Sequence, residues 1–595
     1  MPILPDRLSL EALHKAALTP TALVEEIWRR CEAYAAIDPA VWIHRVPLDE
    51  LRAHAKRLEA LDPETLPLYG VPFAIKDNID LAGVPTTAAC PEFTYTPGKS
   101  AASVERLIAA GAIPVGKTNL DQFATGLVGV RSPYGAPRNI FNRDYISGGS
   151  SSGSAVAVAA GLVTFALGTD TAGSGRVPAA FNQLVGLKPT RGRLGTRGVV
   201  PACRTLDCVS IFALTCVETD ILLAIAEGYD PADPFSRPQP AVPGVTAGAS
   251  HCGHLHIGVP RPDQLEWFGN TESPALFAAA LDRLRATGAE IIEVDFSPFL
   301  EAARLLYEGP WTAERYAAVG EFIETHASAP GLDATVAKII LGGKTPSAVD
   351  GFKASYRLAE LRRVADTAFA AFDFLVAPTT GTIYKVSEIE ADPIRLNSNL
   401  GRYNNFMNLL DLCGLTLPAG RYTYGPGFGI TLIAPAWQDS RLLSLGARYL
   451  DEPAGAVDHH PPEVWITLAV CGAHLRGQPL NKQLTELGAR FIEATTTAPH
   501  YRLYALANTT PPKPGLVRMP AGETGAAIAV ETYALSPEAF GRFVASAPSP
   551  MVIGTAELAD GTSVKSFLCE PCALAEALDI TSFGGWISYR AHSPG

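Results

Sequence analysis

The chain has 595 residues, 47% of them hydrophobic and 18% charged, with a formal net charge of −12. That length exceeds one compact core and predicts two or three domains, and the composition is that of a folded globular protein. The acidic balance argues against general nucleic-acid binding, which needs a basic surface, and the lack of an apolar run of about 18 residues argues against a membrane span.

The N-terminus, MPILPDRLSLEALHKAAL, has no basic segment leading into an apolar core, so no secretory signal is expected. Ten cysteines are scattered without a framework, which fits free thiols in a reducing cytoplasm. Thr19-Pro20 reads as an N-cap and first-turn pair, followed by Leu23, Val24, Ile27 and Cys31 at helical spacing. Val71 to Ile75 reads as a strand that delivers Lys76 into an Asp77-Asn78 turn. Taken alone, Lys76 is an ordinary loop lysine. Gly111 to Thr118 then fits the Walker A pattern letter for letter. Its context contradicts that reading. Ser103 to Ala110 reads as a helix stopped by Gly111, Ala112 to Val115 as a strand, and Pro114 has no N–H for a phosphate. Nucleotide binding is not expected.

Residues 147–190 dominate the chain. Gly148 to Gly153 is a tight Gly/Ser loop, and Ser154 to Ala160 has the small residues of a closely packed helix. Val163 to Leu167 is a short apolar strand. Asp170 to Arg176 is a second Gly-rich loop, before a helix starting near Pro178. Such loops let the backbone approach a ligand and aim successive N–H groups at one point, as an oxyanion hole requires. Gly149 to Gly153 also fits a nucleophile elbow, with Ser151 as the nucleophile. That elbow follows a buried strand, whereas Asn142 to Ile146 is polar; histidines are sparse, and His326 lies in no recognisable catalytic setting.

His251, Cys252, His254 and His256 suggest a metal cluster, but nothing nearby completes a ligand set. A polar strand edge feeding the strand Ile257 to Val259 is expected instead. Residues 274–290 and 298–325 read as helices, Asp373 to Pro378 as a buried strand and Asn404 to Leu412 as a helix. A strand near Phe428 to Ile433 and a helix from Arg441 to Tyr449 complete a first domain, 1–451. Residues 452–462 have linker composition. A second domain, 463–595, begins with a strand at Val464 to Val470. Asn481 to Gly488 is a helix, Tyr501 to Leu506 and Ala526 to Tyr533 are strands, and Ser536-Pro537 caps another helix. Asp560-Gly561 is a hairpin turn. Cys569 and Cys572 form a lone CxxC, weak evidence for zinc.

The Gly148-Gly149-Ser150-Ser151 loop, the Gly173-Ser174-Gly175-Arg176 loop and Lys76 after its apolar strand resemble the amidase signature family. The two serines, Ser150 and Ser174, stand at that family's spacing of 24 positions. The resemblance runs from about Pro20 to Asp451. It implies an α/β fold with a large mixed central sheet flanked by helices. It also implies a Ser-cisSer-Lys triad: Ser174 as nucleophile, Ser150 as proton relay and Lys76 as base. Backbone amides of Thr171, Ala172, Gly173 and Ser174 would form the oxyanion hole, in a loop held by Asp170 and Arg176. A Gly-Lys-Thr-Asn run like the family's, Gly116 to Asn119, leads into a substrate-side loop, and Asn119, Asp121 and Gly126 become candidate pocket residues. No cofactor and no metal is implied.

The stretch Leu305 to Tyr316 resembles the allophanate hydrolase branch of this family, in which a tyrosine and an arginine eight positions apart bind substrate. These match Tyr307 and Arg315. Allophanate is a urea amide carrying a carboxylate, which a guanidinium suits. Residues 463–595 resemble the C-terminal domain of allophanate hydrolases, a smaller α+β fold similar to gamma-glutamyl cyclotransferases. There His474 matches a histidine proposed as a base, and Arg476 or Arg518 would hold an anion. The implied reaction turns allophanate into ammonia and carbon dioxide, in a cytoplasmic homodimer without membrane or nucleic-acid partners. A separate urea carboxylase, or an enzyme of biuret or cyanuric acid degradation, would work beside it. The alternative is a different amidase, including the amidotransferase component that works on charged transfer RNA, with an architectural C-terminal domain.

Overall fold

The computed structural model describes residues 6–16, 18–240, 255–452, 466–507, 509–520 and 522–592. The chain divides into two units, Met1–Asp458 and His459–Gly595. Apart from Glu452, the linker expected at 452–462 lies outside the described residues, as do His251, Cys252 and His254.

Among the described residues, the first unit holds one eleven-stranded mixed sheet. Its strands are β1 (Trp42–Arg45), β2 (Pro72–Lys76), β3 (Ile113–Thr118), β4 (Phe165–Asp170), β5 (Val185–Lys188) and β6 (Cys208–Ala213). The others are β7 (Leu255–Pro260), β8 (Ala289–Val294), β9 (Phe374–Pro378), β10 (Leu412–Arg421) and β11 (Gly427–Pro435). The spatial order is β1-β3-β2-β4-β6-β5-β10-β11-β9-β7-β8. β2 runs parallel to both neighbours, β3 and β4, whereas β4 to β11 are joined through antiparallel pairs.

The centre of this sheet is buried on both faces. Phe73, Ile75, Phe165, Leu167, Val209 and Ile211 enter one core, while Ala74, Ala166 and Phe212 between them enter another. This is the two-residue alternation of a strand. The second core is closed by the helices Pro20–Ala35 and Ser152–Ala159. The first is capped by Thr19, whose hydroxyl accepts from Ala22 N at 3.2 Å, and its Leu23, Val24, Ile27 and Cys31 are buried as their spacing predicts. The second is buried along its whole length and has no side chain larger than valine. A Cβ on its Gly153 would lie 2.7 Å from Asn119 N, so only a stripe of small residues fits there. Lys76, two positions after Ala74, leaves β2 on the side of this helix.

The Walker-like letters form a helix stop and a strand. Gly111 has φ +99° after the helix Ala102–Ala109, and Lys117 is fully buried inside β3, ion-paired to Asp77 at 3.0 Å. Three expected helices are corrected. The one at 274–290 ends at Ala286, and a Thr287-Gly288 turn leads into β8. The one at 298–325 is two helices, Ser297–Glu308 and Thr312–Thr325, broken at Gly309-Pro310, where proline lacks the N–H that would continue the ladder. Between Asn404 and Leu412 only the single turn Phe406–Leu409 is helical, and Leu412 already begins β10.

In the second unit the strands are β12 (Ile466–Val470), β13 (Arg490–Thr496), β14 (Tyr501–Ala505), β15 (Pro514–Arg518), β16 (Ala529–Leu535), β17 (Met551–Glu557), β18 (Ser563–Cys569) and β19 (Leu578–Asp579). They form a five-stranded sheet, β13-β16-β12-β18-β17, and a three-stranded one, β15-β14-β19. Leu468, Leu503, Tyr533, Phe543 and Trp586 belong to this unit's own core. Ser536 caps the helix Pro537–Ala545 by accepting from Ala539 N at 3.2 Å, and Asp560-Gly561 turns β17 into β18. Cys569 is buried, Cys572 is exposed and both are free thiols. Among the described residues, no helix is long and apolar enough to cross a membrane.

Candidate active site

The end of β2 places Lys76 where it has no contact with water. Its Nζ donates to Ser150 Oγ at 2.7 Å and to Thr169 Oγ1, at the end of β4, also at 2.7 Å. Loss of hydration disfavours the ammonium and pushes the lysine down to about 7. The carboxylates of Asp121, Asp170 and Asp207 oppose that shift, and the positive charge of Arg315 adds to it. Near neutrality Lys76 therefore exists in both forms, one able to accept a proton and one able to return it. Thr169 was not visible as a site residue in the sequence. Asn78 Nδ2 also donates to its hydroxyl, at 3.3 Å.

The Gly149–Ser150 peptide is cis. Ser150 O accepts from Asp121 N at 3.0 Å. The Asp121 carboxylate in turn accepts from the amides of Val128, Gly129 and Arg131 at 3.1, 2.9 and 3.0 Å. One residue thus fastens the Ser150 loop to the loop at 126–131. Gly149 lies against this carboxylate, and any Cβ there would collide with it. Ser151, the elbow candidate, donates its hydroxyl to Thr169 O at 3.2 Å and flanks the start of the helix Ser152–Ala159.

Ser174 is 3% exposed, and its Oγ lies 3.5 Å from Gly126 O. Gly126 is therefore at the site through its backbone. The loop carrying Ser174 is shaped by a buried two-pronged ion pair. Arg176 Nε and Nη2 each donate to Asp170 at 2.9 Å. Burial works to raise Asp170, but Arg176 outweighs it and keeps the carboxyl below its usual range. Asp170 also accepts from Gly173 N at 2.8 Å and from Gly175 N at 3.0 Å. Gly173 is thereby corrected as an oxyanion donor, because its amide is already bonded. The amides of Thr171, Ala172 and Ser174 make no hydrogen bond to another described residue. Thr171 Oγ1 donates to Asp207 at 2.5 Å, and Asp207 accepts from Ala202 N and Cys203 N at 2.8 and 3.2 Å. This second buried carboxylate fixes the start of the loop, and burial raises it above the usual range.

Tyr307 and Arg315 come from the two helices on either side of the Gly309-Pro310 break. Arg315 is 2% exposed. Its Nη1 donates to Thr125 Oγ1 at 3.0 Å, its Nη2 to Tyr307 Oη at 3.2 Å, and its guanidinium lies 5.4 Å from the Tyr307 ring centre. Among the described residues no carboxylate pairs with it. The loop that meets it is itself unusual: Phe123 and Ala124 have φ of 50° and 52°, a region costly for residues with a Cβ. Phe123 is held there by edge contacts with Phe93 and Phe322 and by its N–H to Ala88 O at 3.0 Å.

Asn119 is corrected as a substrate contact. Its Nδ2 donates to Ala40 O and Gly135 O, both at 2.9 Å. Its Oδ1 accepts from Leu120 N at 2.8 Å and from Ser132 Oγ at 2.7 Å. All four bonding positions hold protein. His474 lies in the second unit. Its Nε2 is 3.0 Å from Gln483 Oε1, and its ring packs against Phe567 and Phe543. Burial lowers its pKa, Gln483 opposes that shift and Lys513 adds to it. The two arginines expected to hold an anion are both paired elsewhere: Arg476 Nε with Glu531 at 2.9 Å and Arg518 with Glu557 at 3.1 Å.

The Amidase family model matches residues 22–443, and the model of the allophanate hydrolase C-terminal domain matches residues 466–591. A urea amidolyase of Saccharomyces cerevisiae is 44% identical over 585 residues; the match covers 93% of this chain and 31% of that protein. The chain thus spans about a third of the length of the urea amidolyases it matches. A solved Kluyveromyces lactis allophanate hydrolase is 42% identical with a TM-score of 0.75, covering 98% of this chain and 99% of that one. A glutamyl-tRNA(Gln) amidotransferase chain of Deinococcus radiodurans is 34% identical, covering 76% of this chain and 97% of its own. With one family model running from the helix of Leu23 to the helix of Leu442, across every strand that carries the Lys76 site, the chain belongs to the amidase family.

Proposed function

We propose that this chain hydrolyses allophanate through an acyl-enzyme on Ser174. The observation that carries this reading is Arg315, a buried guanidinium without a carboxylate partner among the described residues, electrostatically coupled to a lysine pushed down to about 7. A buried charge left unpaired is costly. A substrate carboxylate would complete it, since a guanidinium grips a carboxylate through two parallel hydrogen bonds. Tyr307 would add its hydroxyl to that grip.

In this reading neutral Lys76 takes a proton from Ser150, which takes one from Ser174. The Ser174 oxygen attacks the terminal amide carbonyl, and the oxyanion faces the amides of Thr171, Ala172 and Ser174. The Lys76 ammonium returns its proton through Ser150 to the departing nitrogen, so ammonia leaves. Water, deprotonated by the same relay, then releases N-carboxycarbamate. Loss of carbon dioxide and hydrolysis of the remaining carbamate yield a second ammonia. His474 is assigned to that later stage. Further parts of the proposal are a 1–451 amidase domain, a 452–462 linker, a 463–595 C-terminal domain, a homodimer and a cytoplasmic setting. The substrate would come from a separate urea carboxylase or from biuret or cyanuric acid degradation. The name of the Kluyveromyces lactis structure supports this substrate.

The test compares ammonia release from allophanate, biuret, malonamate and uncharged amides, with the Ser174→Ala protein as control. Preference for allophanate, lost in the variant, is expected. Equal turnover of uncharged amides would overturn the substrate assignment.

A further inference from the structure

We infer that Gln122 is a positioning residue for Arg315, and that through it the chain sets its preference for substrates carrying a carboxylate. The inference rests on the proposed function only in taking Arg315 as the group that meets that carboxylate.

Gln122 is fully buried, three positions before Thr125, whose hydroxyl accepts from Arg315 Nη1. Its side-chain amide is bonded to main chain from two other segments. Nε2 donates to Ala89 O at 2.8 Å and to Gly331 O at 2.7 Å, while Oε1 accepts from Asp333 N at 2.9 Å. The Ala89 bond sits next to Ala88 O, which accepts from Phe123 N at 3.0 Å. Ala88 and Ala89 have φ of 49° and 59°, and Phe123 and Ala124 have 50° and 52°. Two stretches of unfavourable backbone are thus tied to each other at Gln122, and such backbone persists only where its surroundings over-determine it. Thr125 completes the turn: its N–H donates to Gln122 O at 3.0 Å and its hydroxyl donates to Phe123 O at 3.2 Å, which leaves an oxygen lone pair for Arg315.

The other end of the tie reaches the helix that carries Arg315. Asp333 caps the helix Ala334–Leu341, its carboxylate accepting from Val336 N at 2.9 Å. Val336 and Ile340 share one core with Phe123 and with Val319 and Ile323. Val319 and Ile323 follow Arg315 at intervals of four, so all three lie on one face of the helix Thr312–Thr325. Gln122 therefore holds both what the guanidinium bonds to and what its helix rests on. A carboxylate gripped by two parallel hydrogen bonds needs the guanidinium plane fixed, and a misplacement of about 1 Å at a reacting site can cost roughly 100-fold. A substrate without the carboxylate does not draw on that precision.

The test compares malonamate with malonamide, which differ by a carboxylate against an amide, on the full chain. Gln122→Met keeps the side-chain length and removes all three bonds. KM for malonamate is expected to rise at least tenfold with kcat held within about threefold, and the preference for malonamate over malonamide to fall at least tenfold. Calorimetric titration of malonamate into the Ser174→Ala protein reads the same position without turnover, and adding Gln122→Met should weaken binding at least tenfold. In an Arg315→Met background Gln122→Met should change either measurement less than twofold, because the group it positions is gone. Equal losses on the two compounds, or effects of Gln122→Met and Arg315→Met that multiply, would overturn the inference. If Gln122→Met does not fold, Gln122→Glu replaces it. That side chain has the same shape and keeps the acceptor for Asp333 N, but at pH 8 its charge faces two carbonyl oxygens. The same fall in preference is expected, and an unchanged preference would overturn the inference. The two readings fail separately. A chain that releases no ammonia from allophanate, yet binds malonamate in a way that depends on Arg315 and Gln122, refutes only the proposed function. A chain that hydrolyses allophanate with a preference untouched at Gln122 refutes only the positioning role.

Discussion

Lys76 Nζ lies 2.7 Å from Ser150 Oγ, and both side chains are fully buried. The proton path therefore starts from a base that is neutral above about 7. For the hydrolysis proposed above, kcat/KM should fall tenfold per pH unit below about 7 and level off above it. Lys76→Ala should be as damaging as Ser174→Ala, since residues acting as one unit do not lose activity additively. Ser174 should also be the residue labelled by an acyl-trapping inhibitor, identified by mass spectrometry. A label on Ser151 would refute the assignment of the nucleophile.

The same burial has a cost for folding. Lysine is lowered from 10.5 to about 7 in the folded chain, so between those values the unfolded chain binds more protons. Stability contributed at this position therefore rises with pH across that window, and the penalty is fully present below about 7. Its size near neutrality is on the order of 4 kcal/mol. Lys76→Met should make the inactive protein as stable as its parent or more so at pH 7. That advantage should shrink towards pH 10.5 in denaturant titrations. An advantage independent of pH would mean that the lysine is not desolvated.

Thr169 is expected to act on the base without touching substrate. Its hydroxyl accepts from the Lys76 ammonium and so stabilises the charged form. Thr169→Val should lower kcat/KM by roughly 10–100-fold, the worth of one hydrogen bond to a charged group. It should also move the pH limb to lower values, and Thr169→Ser should restore both. A lower rate with an unmoved limb would indicate only a packing role.

Arg315→Ala and Arg315→Lys should act on charged substrates selectively. Breaking a buried, charged hydrogen bond costs about 2–5 kcal/mol. Steady-state kinetics should show this loss for allophanate and much less for neutral amides. Equal losses on both would make the arginine structural.

His474→Ala separates two roles for the C-terminal unit. If the histidine assists carbon dioxide release, early ammonia yield per allophanate should fall from two towards one while molecular mass is unchanged. Full yield would leave that unit an architectural role.

Much of the site was legible because glycine and serine were grouped at positions where larger residues cannot pack. Gly149 has the Asp121 carboxylate where its side chain would be, and Gly153 has the backbone of Asn119. Lys76 was legible because apolar residues run up to it, and the reading of β2 differs from the structure by one position. What stayed hidden depends on which donor finds which acceptor. Nothing in the letters marks Thr169, which looks like any strand threonine, or shows that Gly173 N is taken by Asp170 while its neighbours are not. Asn119 misled for the same reason: its polarity serves Ala40, Gly135, Leu120 and Ser132. The Gly309-Pro310 break was written in the sequence, and the helical pattern on either side outweighed it in the reading.

β2 and β4 are neighbours in register, with Ala74 opposite Ala166 and Ile75 opposite Leu167. Both are buried on two faces, so neither can slide without turning every side chain to the wrong core. An insertion of one residue within Pro72–Lys76 would send the lysine towards Phe73's side of the sheet and away from Ser150. A similar insertion in an exposed turn would leave the site untouched. Length variation in enzymes built on this sheet should therefore collect in the turns, while these two short segments keep their residue count even where their letters drift.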